Sequence, residues 1–423
     1  MSLIMYRYDW IEQLKLGQRT HAASRSLGSI SPVVWSLGFT SLLTDISSEM
    51  VNSVLPVYLV LHLHLSPLQF GLVDGLYNGF AIALFSLLAG YYADRRSRQK
   101  EVALAGYALS GVCKLFLLAI GASWTWVLVV IGLDRTGKGM RSAPRDALIS
   151  LNTPAGAYAS AFAVHRALDA CGSLLGPIAA FILLAQLPGA FDAVWITSFV
   201  FAVLGVSVLW LFVPRAAKAP EVVANVATAV VPGFSWISRR FLALAGVGGL
   251  LAAVTISDGF IYLLMQERSA VATGFFPLFY VLTAASYMLF SIPAGRLADR
   301  TSRSLVFLGG YAMLVALYAV LFTFEHLNTG VVLGCLAMLG MYYAATEGVL
   351  MALASAVIPA QKRTMGIAII ATAIGLAKLL SSVVFGALWQ QLGARNAVII
   401  FVVALGVALA GALALLRATD NET

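Results

Sequence analysis

GYYADRRSRQK (90–100) and GRLADRTSR (295–303) are two copies of one pattern, Gly-x-x-Ala-Asp-Arg-x-Ser-Arg. Each follows a long apolar run and precedes another, and the two start 205 residues apart, at Gly90 and Gly295. A charged hinge that recurs at the same place in two apolar halves implies a duplicated membrane bundle. A repeat of that size implies six helices per half, related by an axis along the membrane normal.

The composition requires a membrane. Of the 423 residues 60% are hydrophobic and 11% charged, whereas soluble domains carry about 25% charged residues. The net charge of +8 would suit nucleic acid in a soluble chain. Here the bases fall between apolar runs, which fits loops on an inner leaflet and excludes a nucleic-acid partner. Cys113, Cys171 and Cys335 lie within apolar runs and offer neither a disulfide framework nor a CxxC site. No HExxH or GxSxG occurs, and the TGKG at 136–139 lacks the upstream glycine of a phosphate loop. These absences argue against an enzyme and call for no cofactor.

A spanning helix needs about 20 mostly apolar residues. Twelve such runs are read, at 33–60, 68–92, 102–121, 124–142, 158–185, 190–213, 240–265, 274–297, 304–324, 329–357, 364–389 and 395–416. Expected domains are an amphipathic cytoplasmic segment (1–32), an N-terminal six-helix bundle (33–213), a linker (214–239), a C-terminal six-helix bundle (240–416) and a tail (417–423). With the N-terminus inside, twenty Lys and Arg fall inside, two outside (Arg268, Arg395) and five within spans (Lys114, Arg135, Lys138, Arg166, Lys378). That asymmetry places both termini in the cytoplasm.

These motifs resemble the major facilitator superfamily. The stretch from Gly90 through Asp94, Arg95 and Arg98 is similar to that family's loop between helices 2 and 3. The stretch from Gly295 through Asp299, Arg300 and Arg303 is similar to its echo between helices 8 and 9. Leu133 to Gly139 resembles the family's helix 4 motif, with Lys138 where a neutral amide is usual. Gly172-Ser-Leu-Leu-Gly176-Pro177 resembles the helix 5 motif associated with antiporters. DRTGKGMRSAPRDALIS (134–150) with VHRALDACGSLLGP (164–177) looks like a prokaryotic subgroup, some of whose relatives are linked to metal or drug efflux. The resemblance implies an all-α membrane protein of two pseudo-symmetric six-helix bundles that works by alternating access. It also implies that Asp94 and Asp299 join charge networks latching the cytoplasmic side, and that helices 1, 4, 7 and 10 line a central cavity.

Each of those four helices carries an acid. In LLTDISSEMVNS (42–53), Asp45 and Glu49 are four apart on one helical face, and Asn52 continues it. A charge at mid-bilayer is costly unless it meets a partner or a wet cavity, so the pair is read either as a proton-coupling site or as a static partner of helix 4. Arg135 and Lys138 share a face of helix 4; they tune those acids, bind an anionic group or pair internally. His165 and Asp169 are one turn apart on helix 5, either relaying protons or making interhelical hydrogen bonds. Asp258 in helix 7 and Glu347 in helix 10 complete the set. The spacing matches no recognised metal motif, so no metal is assigned. Gly172 and Gly176 give close helix contact, and Pro177 loosens the helix beside them.

The reading is a monomeric secondary transporter in the bacterial inner membrane that exchanges protons for a small solute. The solute is a drug, a metal or metal complex, a siderophore or a metabolite. The alternative is a proton-coupled importer.

Overall fold

The computed structural model describes residues 30–78, 81–119, 123–153, 157–214, 237–358 and 363–420. The expected N-terminal segment, almost all of the linker and the end of the tail lie outside them. The chain packs as two compact units. One is built on the described parts of Tyr6–Ser53 and Ala81–Pro232, the other on those of Val54–Phe80 and Gly233–Thr423.

Regular structure is helical throughout the described residues. It runs α1 (Pro32–Val57), continued by a π-helical turn (Tyr58–His62), then α2 (Pro67–Asn78), α3 (Ala81–Arg96), α4 (Gln99–Ala119), α5 (Trp124–Leu151), α6 (Tyr158–Gln186) and α7 (Phe191–Phe212). After the linker come α8 (Arg239–Ala253), α9 (Asp258–Arg268), α10 (Pro277–Arg300), α11 (Arg303–Thr323), α12 (Thr329–Val357), α13 (Arg363–Leu392) and α14 (Ala394–Asp420). Local chemistry sets several ends. Ser238, Ser302 and Asn328 cap α8, α11 and α12 by accepting a backbone N–H three residues on. Gly189 and Gly393 take positive φ, 78° and 82°, in the turns before α7 and α14, where other residues would be strained.

Among the described residues nine helical segments are long and apolar enough to cross a bilayer, the α8–α9 pair counting as one. The three other predicted runs, 33–60, 68–92 and 124–142, are also helical. Polar residues dilute the first, four buried charged groups of α5 (Asp134, Arg135, Lys138, Arg141) interrupt the third, and residues 79–80 fall outside the described part of the second. Side chains such as Leu289 and Val407, both 69% exposed, have no favourable place in water but suit lipid.

In the first unit, α4 and α5 meet backbone to backbone. A Cβ on Gly106 would lie 2.7 Å from Gly137 O, and one on Gly137 would lie 2.7 Å from Gly106 O. Gly90 of α3 faces Ala143 of α5 at 3.1 Å. In the second unit, α2 lies on α13 with equal closeness, since a Cβ on Gly71 would meet Ser382 O at 2.5 Å and one on Gly386 would meet Pro67 O at 2.4 Å.

The run 240–265 is not one continuous helix. It breaks over 254–257, between α8 and α9. The freed backbone groups find side chains: Ile256 N donates to Tyr318 Oη (2.7 Å) and Ser381 Oγ donates to Thr255 O (2.7 Å). That satisfaction is what lets a spanning segment be interrupted inside a membrane.

Candidate functional site

The site is a buried ionic cluster in the first unit, contributed by α1, α4, α5 and α6. Asp45, Glu49, Asp134, Asp146 and Asp169 stand against Lys114, Arg135, Lys138, Arg141 and Arg145. Five acids balance five bases, which makes so many charges tolerable away from water.

Two glycines bring α1 and α6 together. A Cβ on Gly172 would lie 2.5 Å from Leu42 O and 3.1 Å from Asp45 Cβ; one on Gly176 would lie 2.8 Å from Ile46 O and 2.9 Å from Glu49 Cβ. The expected antiporter-like motif thus presses on the two turns of α1 that carry the acids, with Pro177 next in the α6 interior.

Asp45, 3% exposed, pairs through Oδ1 with Arg141 Nη2 at 3.3 Å. Arg141 also lies over the Tyr107 ring, 4.5 Å from its centroid. Asp45 Oδ2 is buried and has no hydrogen-bond partner among the described residues. Glu49 faces Lys138 Nζ at 3.6 Å and accepts from Asn52 Nδ2 at 2.7 Å. Asp169 accepts from Ser41 Oγ at 2.6 Å and has Arg145 Nη1 at 3.8 Å. It sits one helical turn before Gly172, whose added Cβ would lie 3.1 Å from Asp45 Cβ, so Asp169 and Asp45 share this part of the α1–α6 contact.

Arg135 turns to its own neighbour on α5. Its guanidinium holds Asp134 Oδ2, with Nε at 3.0 Å and a second, closer contact through Nη2. Asp134 Oδ1 is filled by Lys114 Nζ (2.5 Å) and Ser110 Oγ (2.6 Å) on α4. Sequence reasoning passed over Lys114, Ser41, Arg141 and Arg145 as carriers of this network. One signal was available: Gly106, Ser110 and Lys114 recur every four residues, giving α4 one face of close approach followed by polar groups.

His165 shares a face of α6 with Asp169, yet Asp169 is engaged by Ser41 and Arg145. Both ring nitrogens of the fully buried His165 lack a hydrogen-bond partner among the described residues. No group of three His, Cys, Asp or Glu side chains among the described residues has metal-binding geometry.

The remaining candidates lie in the second unit. Asp258 is the first residue of α9, just past the break, where a carboxylate suits the helix N-terminus. It accepts from Tyr343 Oη at 2.6 Å and 2.8 Å. Glu347 is half-buried on α12, one helical turn past Tyr343. Asp74 of α2, buried, accepts from Ser382 Oγ at 2.6 Å.

The charged hinge residues are exposed. Asp94 accepts from Gln99 Nε2 (3.3 Å), and Arg95 donates to Tyr91 Oη (3.3 Å). Asp299 pairs with Arg303 at 3.0 Å within one helical turn; Arg98 and Arg300 are solvent-facing. Gly295 has open space where Gly90 has Ala143. An exposed pair of this kind contributes little, so Arg303→Gln is expected to change stability by no more than about 0.5 kcal/mol, read as the thermal midpoint of the purified protein.

A family model described as Major Facilitator Superfamily matches residues 37–285 and 261–423. The chain belongs to the Major Facilitator Superfamily. This facilitator is 29% identical over 367 residues to an uncharacterized MFS-type transporter of Methanocaldococcus jannaschii, covering 85% of this chain and 89% of the relative. It is 28% identical over 354 residues to an uncharacterized protein of Mycobacterium tuberculosis, covering 80% and 82%. Among solved structures the facilitator is similar to the nucleoside transporter NupG, with a TM-score of 0.73 at 15% identity over 90% of this chain and 99% of that one. It is also similar to a peptide transporter, POT, with a TM-score of 0.73 at 13% identity over 92% and 94%. Identities this low speak for the fold alone. The facilitator is a multi-pass membrane transporter, and its relatives imply transport rather than catalysis.

Proposed function

We propose that this transporter is a secondary active exporter that exchanges protons for a small solute by alternating access, with Asp45, Glu49 and Asp169 as the proton acceptors. The observation that supports this reading is the set of three carboxyls held inside the first unit against Arg141, Lys138 and Arg145. Asp45 and Asp169 lie near each other at the α1–α6 contact, and one Asp45 oxygen is unpartnered among the described residues. Two interacting carboxyls away from water favour holding a proton between them. Taking up that proton weakens the hold on Arg141 and Arg145, and losing it restores both pairs. A local ionic rearrangement of this kind biases one conformation over another. The same chemistry runs an importer; the glycine-proline segment at 172–177, which resembles the antiporter motif, favours exchange.

The cargo is a drug, a metal or metal complex, a siderophore or a metabolite. The protein works as a monomer in the bacterial inner membrane with both termini cytoplasmic, and Asp94, Asp299 and their arginines latch the cytoplasmic side. A deletion strain screened against metals, siderophores and drugs identifies the compound whose toxicity shifts most. Proteoliposomes are then loaded with that compound and its counterflow is driven by a pH gradient. Asp45→Asn and Glu49→Gln are each expected to uncouple exchange from the gradient while leaving downhill exchange measurable. Full pH-driven exchange in both variants sinks the proton assignment. Transport into right-side-out but not inverted vesicles selects import instead.

A further inference from the structure

A second feature of the first unit lies outside the ionic cluster. Between α3 and α4, with α5 as its floor, runs an open groove of about 500 Å³. Its walls are apolar, formed among others by Leu88 and Tyr92 of α3, Ala105 of α4 and Met140 of α5, with Arg98 and Glu101 at one end. Leu88 and Tyr92 are 56% and 49% exposed, so the walls face the surroundings of the bundle.

The charged end is biased. From Asp94 to Glu101 the chain carries Arg95, Arg96, Arg98 and Lys100 against two acids. Lys100 is occupied by Trp210 O at 2.9 Å and Arg95 by Tyr91 Oη. Arg98 is exposed and enters no ion pair among the described residues. An open apolar slot with a guanidinium at its end, one carboxylate among the surrounding bases, matches a molecule with an acyl chain and an anionic head. Arginine's planar fork suits a phosphate diester, and clusters of bases beside a span attract anionic lipid.

We propose that this groove binds one acyl chain of an anionic phospholipid whose phosphate is held by Arg98. The site uses neither the buried acids nor their partners, and Arg98 is the one residue it shares with the proposed cytoplasmic latch. Beside the groove floor Gly90 packs α3 onto α5, where an added Cβ would lie 3.1 Å from Ala143 Cβ.

The test uses the full chain in nanodiscs containing a phosphatidylglycerol with a photoactivatable group on its acyl chain, followed by peptide mapping of the adducts. Adducts are expected to concentrate on residues 85–105. Ala105→Trp, which fills the exposed groove wall without removing any core side chain, should abolish them. Arg98→Gln should reduce them about fivefold, the effect of one surface cation on anionic lipid. Arg303→Gln in the second hinge copy should leave them unchanged, and all three variants are checked for monodispersity. The proposal is overturned if labelling spreads evenly over the lipid-facing helices. It is equally overturned if Ala105→Trp labels like the parent, or if a phosphatidylcholine probe labels the groove as strongly.

Discussion

Asp134→Asn is expected to be the most destabilising single substitution in the ionic cluster, costing about 3–5 kcal/mol because it strands buried charge. Asp134 is 5% exposed and holds Lys114 on one oxygen and Arg135 on the other. The asparagine keeps the volume but removes the carboxylate that Lys114 and Arg135 share, and these two cations are 2% and 3% exposed. Removing a cation instead is milder: Lys114→Met leaves Asp134 still paired with Arg135. The double variant Asp134→Asn with Lys114→Met should recover part of the loss, since only one stranded cation remains, and the shortfall from additivity measures the coupling. Thermal midpoints of purified protein, with the yield of monodisperse material, check this ordering. If Asp134→Asn behaves like a change at exposed Asp299, the network does not hold these helices together.

Much of this arrangement could be read from the chain, and the boundary has a physical cause. Apolar run length reports burial in lipid directly, so most spans emerged from composition alone. The recurrence of GxxADRxSR reports duplication. Residues one turn apart, such as Asp45 and Glu49, share a face by helical geometry whatever surrounds them. Which base meets which acid was not legible, because that depends on helix rotation and separation. Arg135 and Lys138 were the expected helix 4 neighbours of the α1 acids; Lys138 takes Glu49, but Arg141 takes Asp45. The choice follows from how far α5 is drawn toward α4 by the Gly106–Gly137 contact and where α1 is set by α6. The break before Asp258 had a local signal that hydropathy hid. Val254, Thr255 and Ile256 are all β-branched, and Ser257-Asp258 reads as a helix start, but the apolar count runs straight through them.

The glycines of α6 supply the second large effect. Gly172→Leu and Gly176→Leu are each expected to abolish transport, and even alanine at either place should lower stability by about 1–3 kcal/mol through overpacking. The contact explains why. At Gly176 an added Cβ meets Ile46 O at 2.8 Å and Met50 N at 2.9 Å, and at Gly172 it meets Leu42 O at 2.5 Å and Leu42 Cα at 3.0 Å. These are backbone atoms of α1, so no rotamer change relieves the clash, and the helices must separate. Separation moves Asp45 and Glu49 away from Arg141 and Lys138, which weakens paired charges that have little access to water. Gly205 on α7 makes the informative comparison. Its nearest obstacle is the Thr44 methyl at 2.6 Å, with backbone no closer than Thr40 O at 3.2 Å. Gly205→Ala should therefore be milder than either α6 substitution. Gly246→Ala and Gly406→Ala, with nothing within 4 Å, should leave transport intact and gain a little helix propensity. Proton-driven counterflow and thermal midpoint, measured across the five alanine variants, give the ranking. A Gly176→Ala protein that transports as well as Gly246→Ala would mean that the grip of α6 on α1 does not position the acids.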